Sequence, residues 1–119
     1  MATEDDVRRI ALSLPETTEQ PSYGTPGFRV KDKLFLRVRP DDERALVVFV
    51  DDLSTKEALL ATEPATFFTT PHYDGHASVL VRLDAVDVDE LRELITDAWL
   101  ARAPARVRSQ HEAELLGGG

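Results

Sequence analysis

Apolar residues recur along the chain with two different periods. Val7, Ile10, Ala11 and Leu14 follow i, i+3, i+4, i+7 spacing, which predicts an amphipathic helix. Thr3 precedes it as a hydroxyl cap, with Asp6 three residues later as a short-armed capping partner. Pro15 predicts its end near Leu14. Residues 16–26, with two prolines, a glycine and several hydroxyls, read as a loop. The period then changes to two. Phe28-Arg29-Val30-Lys31 alternates apolar with basic, Asp32 marks a turn, and Leu34, Leu36 and Val38 alternate with Phe35, Arg37 and Arg39. Alternation on both sides of a short turn predicts a β-hairpin. Residues 40–43 read as the next turn, and the β-branched run Ala45–Val50 as a buried strand.

Ser54 or Thr55 starts a short helix through about Ala61, carrying Leu59 and Leu60. Phe67 and Phe68 are expected in the core, and His72-Tyr73-Asp74-Gly75-His76 reads as a turn between extended pieces. Val79, Val81 and Leu83 alternate with Leu80 and Arg82, predicting a late strand. Asp87 caps the longest helix, with Glu90 at the capping-box position and Leu91, Leu94, Ile95, Ala98 and Trp99 as its apolar stripe. Pro104 ends or kinks that helix. Residues 1–105 are expected to form one domain, and residues 106–119, closing on Gly117-Gly118-Gly119, a frayed tail. No internal repeat is visible. Strands grouped rather than alternating with helices predict an α+β fold: a single two-layer domain with an antiparallel sheet and helices packed on one face.

Composition narrows the function. A chain of 119 residues buries a core of its own as a single domain. With no cysteine, it forms no disulfide, zinc finger, thiol nucleophile or iron–sulfur site. The longest apolar run, Ala45–Val50, is too short to cross a membrane, and the acidic start Thr3–Asp6 lacks the apolar core of a signal peptide. A cytoplasmic protein with no membrane partner is expected. The net charge of −8, from 14 Lys+Arg against 22 Asp+Glu, argues against a general nucleic-acid binder. The charge is uneven, however: Arg29, Lys31, Lys33, Arg37 and Arg39 face only Asp32 between positions 28 and 39.

This basic stripe is the first candidate site. If Phe28, Val30, Leu34, Leu36 and Val38 face the helices, then Arg29, Lys31, Lys33, Phe35, Arg37 and Arg39 project from the other side. Such a surface binds phosphates, with Phe35 stacking on or wedging against bases. The competing reading is a solvated sheet face whose cations pair with Asp41, Asp42 and Glu43. The His72–His76 turn is the second candidate. Two histidines four apart share a metal on a helix, but Gly75 and Pro71 disfavour a helix here and no third ligand is evident, so no metal is expected. A Tyr–His contact or a partner-touching turn fits better. The loop Tyr23-Gly24-Thr25-Pro26-Gly27 lacks the Lys-Ser/Thr of a P-loop, and turn chemistry explains it. The carboxylates Asp87, Asp89, Glu90, Glu93 and Asp97 read as a solvated helix face. No catalytic constellation stands out, so neither catalytic residues nor a cofactor are expected.

Several segments together resemble the MmcQ/YjbR family. They are Ser22 to Val30, Lys33-Leu34-Phe35, Thr70 to Gly75, Val79 to Leu83, and the Asp-Glu-Leu-Arg-Glu-Leu helix with Ala98-Trp99. The similarity spans about residues 3–105, and the order and spacing of the segments carry it. The resemblance implies a frataxin (CyaY)-like α+β fold, also compared with type III secretion chaperones. It implies a small bacterial protein labelled DNA-binding through a double-wing motif. Transferred residue by residue, the Lys33-Leu34-Phe35 hairpin supplies one wing and the His72–His76 turn the other. The expectation is a non-enzymatic protein that binds duplex DNA weakly through Arg29, Lys31, Lys33, Phe35, Arg37 and Arg39, with His72 and Tyr73 assisting. The alternative is a protein-interaction or chaperone-like module that uses the same sheet face for a protein partner.

Overall fold

In the computed structural model, residues 2–22, 24–39 and 44–115 are described. The expected turn at 40–43, Tyr23 of the glycine loop and the terminal glycines lie outside the described residues. Helix α1 spans Glu4–Leu12, and its start is the expected capping box. Thr3 Oγ1 accepts from the Asp6 amide at 3.2 Å, and Asp6 Oδ2 accepts from the Thr3 amide at 3.0 Å. Val7, Ile10 and Ala11 form its buried face. Six strands follow in one wholly antiparallel sheet: β1 (Thr17–Ser22), β2 (Thr25–Val30), β3 (Lys33–Val38), β4 (Ala45–Phe49), β5 (Phe67–Phe68) and β6 (Ser78–Arg82). Their order is β1-β2-β3-β4-β6-β5, which leaves β1 and β5 as the outer strands. Helix α2 (Leu53–Thr62) lies between β4 and β5 in sequence; α3 (Val88–Arg102) and α4 (Ala105–Leu115) close the chain.

The α+β fold is the one expected, with three differences. Residues 17–22, and Thr25-Pro26 at the start of β2, are strand, not loop. β1 is polar, and Thr18–Pro21 are exposed, as an outer strand can be, so it shows no alternation to read. Residues 105–115 are a helix rather than a frayed tail. Val107 is buried, and the His111 ring meets Trp99 edge-on at 6.2 Å. Glu90 does not close a capping box at α3. Asp87 caps it alone, accepting from the Glu90 amide at 2.7 Å, while the Glu90 side chain bonds toward Glu63.

The core lies between one sheet face and helices α1 and α3. Phe28, Val30, Leu36, Leu46, Val48, Val79 and Val81 meet Val7, Ile10, Leu91, Ile95 and Trp99 there. Trp99 is fully buried, and its Nε1 donates to Pro15 O at 3.0 Å, tying α3 to the end of α1.

One irregularity sets which side chains reach the opposite face. Phe28 lies opposite Leu36, but its neighbour Arg29 lies opposite Leu34. Phe35 is the extra residue of a β-bulge, so Phe35 and Leu36 both enter the helix-side core. The strict alternation expected along this strand therefore breaks. Leu34, expected among the helices, shares the outer face with Arg29. Phe35, expected on that outer face, is fully buried.

Candidate basic face

Directly opposed residues of an antiparallel pair lie on the same face. The register therefore assembles the outer face in rows. Arg37 lies beside Val47, then Leu80, then Phe68. Arg39 lies beside Ala45, through its amide bond to Ala45 O at 3.0 Å, and Ala45 beside Arg82. Arg29 stands with Leu34 beyond the bulge. Phe68 collects two of these cations: the Arg82 guanidinium sits 4.2 Å from its ring centre and that of Arg39 5.8 Å.

The turn after β5 comes down on this face. Buried Lys56 of α2, 4% exposed, donates from Nζ to Tyr73 O at 2.6 Å and His76 O at 3.0 Å. Burial lowers its pKa below the ordinary lysine value, and the charge of Asp74 opposes that shift. Gly75 takes φ +83°, which closes the turn at a backbone conformation that favours glycine. Held this way, Tyr73 accepts at its hydroxyl from Arg37 Nη2, and His72 packs edge-on against the Tyr73 ring at 4.8 Å. Between turn and sheet is a cleft of about 220 Å³, lined by Leu34, Arg37, Val47, Phe49 and Ser78 with His72, Tyr73 and His76.

Arg37, Arg39, His72 and Tyr73 thus share the outer face with Arg29, whose guanidinium turns to Asp32 O at 3.4 Å in the β2–β3 turn. Three other expected residues do not join them. Phe35 is in the core. Lys33 lies opposite Val30, on the helix-side parity, and is exposed at the sheet end. Lys31 sits in the β2–β3 turn at φ +48° and pairs with Glu16 at 2.9 Å. That hydrogen bond holds the Glu16 carboxyl below its ordinary value. Two contributors were missed. Arg82 was signalled by its outward parity between Val81 and Leu83, and Lys56 by its helical spacing to Leu59 and Leu60. Among the described residues no group of three His, Asp or Glu is placed to hold a metal. Nor is any described helix long and apolar enough to cross a membrane.

Comparison with known proteins bears on this arrangement at the level of family. The YjbR family model matches residues 12–101, which contain the whole sheet, the Lys56 anchor and the turn. The chain belongs to the YjbR family. Uncharacterized proteins of Mycobacterium bovis and Mycobacterium tuberculosis are 44% identical to this YjbR chain over 123 residues, covering 90% of it and 93% of each of them. The crystal structure of Deinococcus radiodurans protein DR2400, with a DUF419 domain, shares the YjbR chain's fold. Its TM-score is 0.74 at 24% identity, covering 97% of this chain and 88% of that one.

Proposed function

We propose that this YjbR chain is a non-enzymatic binding protein that takes duplex DNA weakly on its outer sheet face. The observation that carries the reading is a segregation of charge. Arg29, Arg37, Arg39 and Arg82 share that face, and the strand positions sharing it with them among the described residues carry no carboxylate. The carboxylates of α1 and α3 belong to the opposite layer. Screening acts over about 8 Å at physiological salt, so phosphates near the outer face respond to the arginines more than to the net charge of −8. Arginine forks also fit phosphate oxygens. His72 and Tyr73 add donors beside Arg37.

The test is fluorescence anisotropy of a labelled random duplex at ~50 and ~200 mM salt. Four phosphate contacts give a log–log slope of about −3.6 and a roughly 150-fold loss of affinity across that range. Arg29→Glu is expected to weaken binding strongly at the lower salt. Absence of binding there, or equal affinity in the variant, overturns the assignment and directs the search to protein partners for the same face.

A further inference from the structure

A larger cleft, of about 400 Å³, opens where the end of β4 meets α2, α3 and α4, and it shares only Phe49 with the cleft beside Tyr73. Phe49, Leu59, Leu94 and Leu100 give it an apolar wall, and Asp51 and Asp97 join the lining. The lining charges, Asp51 and Asp97 against Arg108, are not equivalent. Arg108 is engaged by Glu112 at 3.5 Å, whereas no hydrogen bond or ion pair reaches Asp51 or Asp97 from a described residue. Arg102, stacked over the Phe49 ring at 4.6 Å, spends its Nε on Leu34 O at 3.0 Å. The cleft is thus apolar on its walls and negative at its rim. Asp97 feels this directly: desolvation raises its pKa, and the charges of Glu93 and Asp51 add to the rise.

An apolar pocket with few convergent polar groups is the usual form of a small-molecule site. Here the polar groups select the sign of the ligand. A phosphate or carboxylate meets two carboxylates, and the lining cation, Arg108, is already paired with Glu112. A cation relieves the repulsion between them and supplies the donor that Asp97 lacks. We propose that this cleft binds a small organic cation, a protonated primary amine carried on an apolar group. The ammonium goes to Asp97 with Asp51 adding to its field, and the apolar part lies against Phe49, Leu59 and Leu94. This site is separate from the basic face and stands whether or not that face binds DNA.

The experiment titrates the full chain with 2-phenylethylammonium and follows backbone amide chemical shifts. The anion of matching shape, 3-phenylpropionate, serves as the charge control. Saturable shifts are expected in α2, α3 and the end of β4 with the amine and not with the anion. Asp97→Asn, at an exposed position, is expected to weaken the amine about tenfold or more, as loss of a charged hydrogen-bond partner does. Thr55→Trp, which places a bulky ring in the cleft from the exposed face of α2, is expected to abolish the shifts. The proposal is overturned if the amine gives no saturable shifts, if the anion binds equally, or if Asp97→Asn binds as the parent does. An unchanged amide spectrum of each free variant away from the substitution establishes that its fold is intact.

Discussion

Phe35 and Lys56 hold the basic face in shape without forming part of its surface. Phe35 fills the core at the bulge, so Phe35→Ala leaves a cavity there. The expected loss is about 3–5 kcal/mol in a denaturant titration; a surface wedge at this position predicts almost none. Lys56 is charged, buried and bonded to two carbonyls, so its truncation leaves both without donors. Lys56→Met keeps the length of the side chain and is expected to destabilise by roughly 1–3 kcal/mol. The loss of order should centre on residues 70–76, where amide hydrogen exchange is expected to accelerate more than in α1. Uniform acceleration along the chain speaks against an anchoring role. In the sequence, these two residues differ in legibility. A phenylalanine at an odd position in an alternating strand gives no sign that the parity is about to slip. A lysine three and four residues before two leucines does lie on the apolar side of its helix, but solvation is the ordinary fate of a lysine.

At the scale of elements, the helices with polar caps were legible because cap and stripe are both local. Thr3 and Asp87 stand where the structure uses them. The buried strands β4 and β6 were legible for the same reason. β1 and α4 were not, because neither carries its own signal: β1 is stabilised by pairing with β2, and α4 by contacts such as that of His111 with Trp99. Half of the candidate site followed the same division. Arg37, Arg39 and the His72–Tyr73 pair came from readable alternation and turn chemistry. Their meeting depended on a bulge and on a lysine from another element. The start of α3 carries a testable conflict. Glu90 is held above its ordinary carboxyl value by desolvation first, then by its hydrogen bond to Glu63 and by the charges of Glu63, Asp87 and Glu93. The folded chain therefore binds that proton more tightly than the unfolded chain. Stability falls as pH rises through 4.5 toward the higher folded value, and the penalty is complete above it. Glu90→Gln is expected to melt higher than the parent at pH 7, an advantage that fades as pH drops below 4.5. An equal difference at both pH values counts against this origin.

Across the whole molecule, the acidic composition and the basic face are compatible because they occupy different layers. Net charge alone, read from composition, predicts avoidance of nucleic acid; the layer arrangement predicts attraction at one face and repulsion elsewhere. Each arginine on that face that contacts a phosphate contributes about 0.9 to the salt slope. Arg82→Ala is therefore expected to reduce the slope by about that amount and weaken all duplex sequences alike, as a phosphate contact does. A change that depends on duplex sequence assigns Arg82 to base contact instead.

The sheet's two margins bear on how such a protein survives at high concentration. A sheet with two outer strands invites growth by strand addition at its margins, the route to fibrils. The margins discourage it. β5 offers a newcomer only Phe67 and Phe68, and β1 brings exposed polar residues and, at Pro21, no N–H to donate. A sheet bounded in this way resists becoming a template for copies of itself.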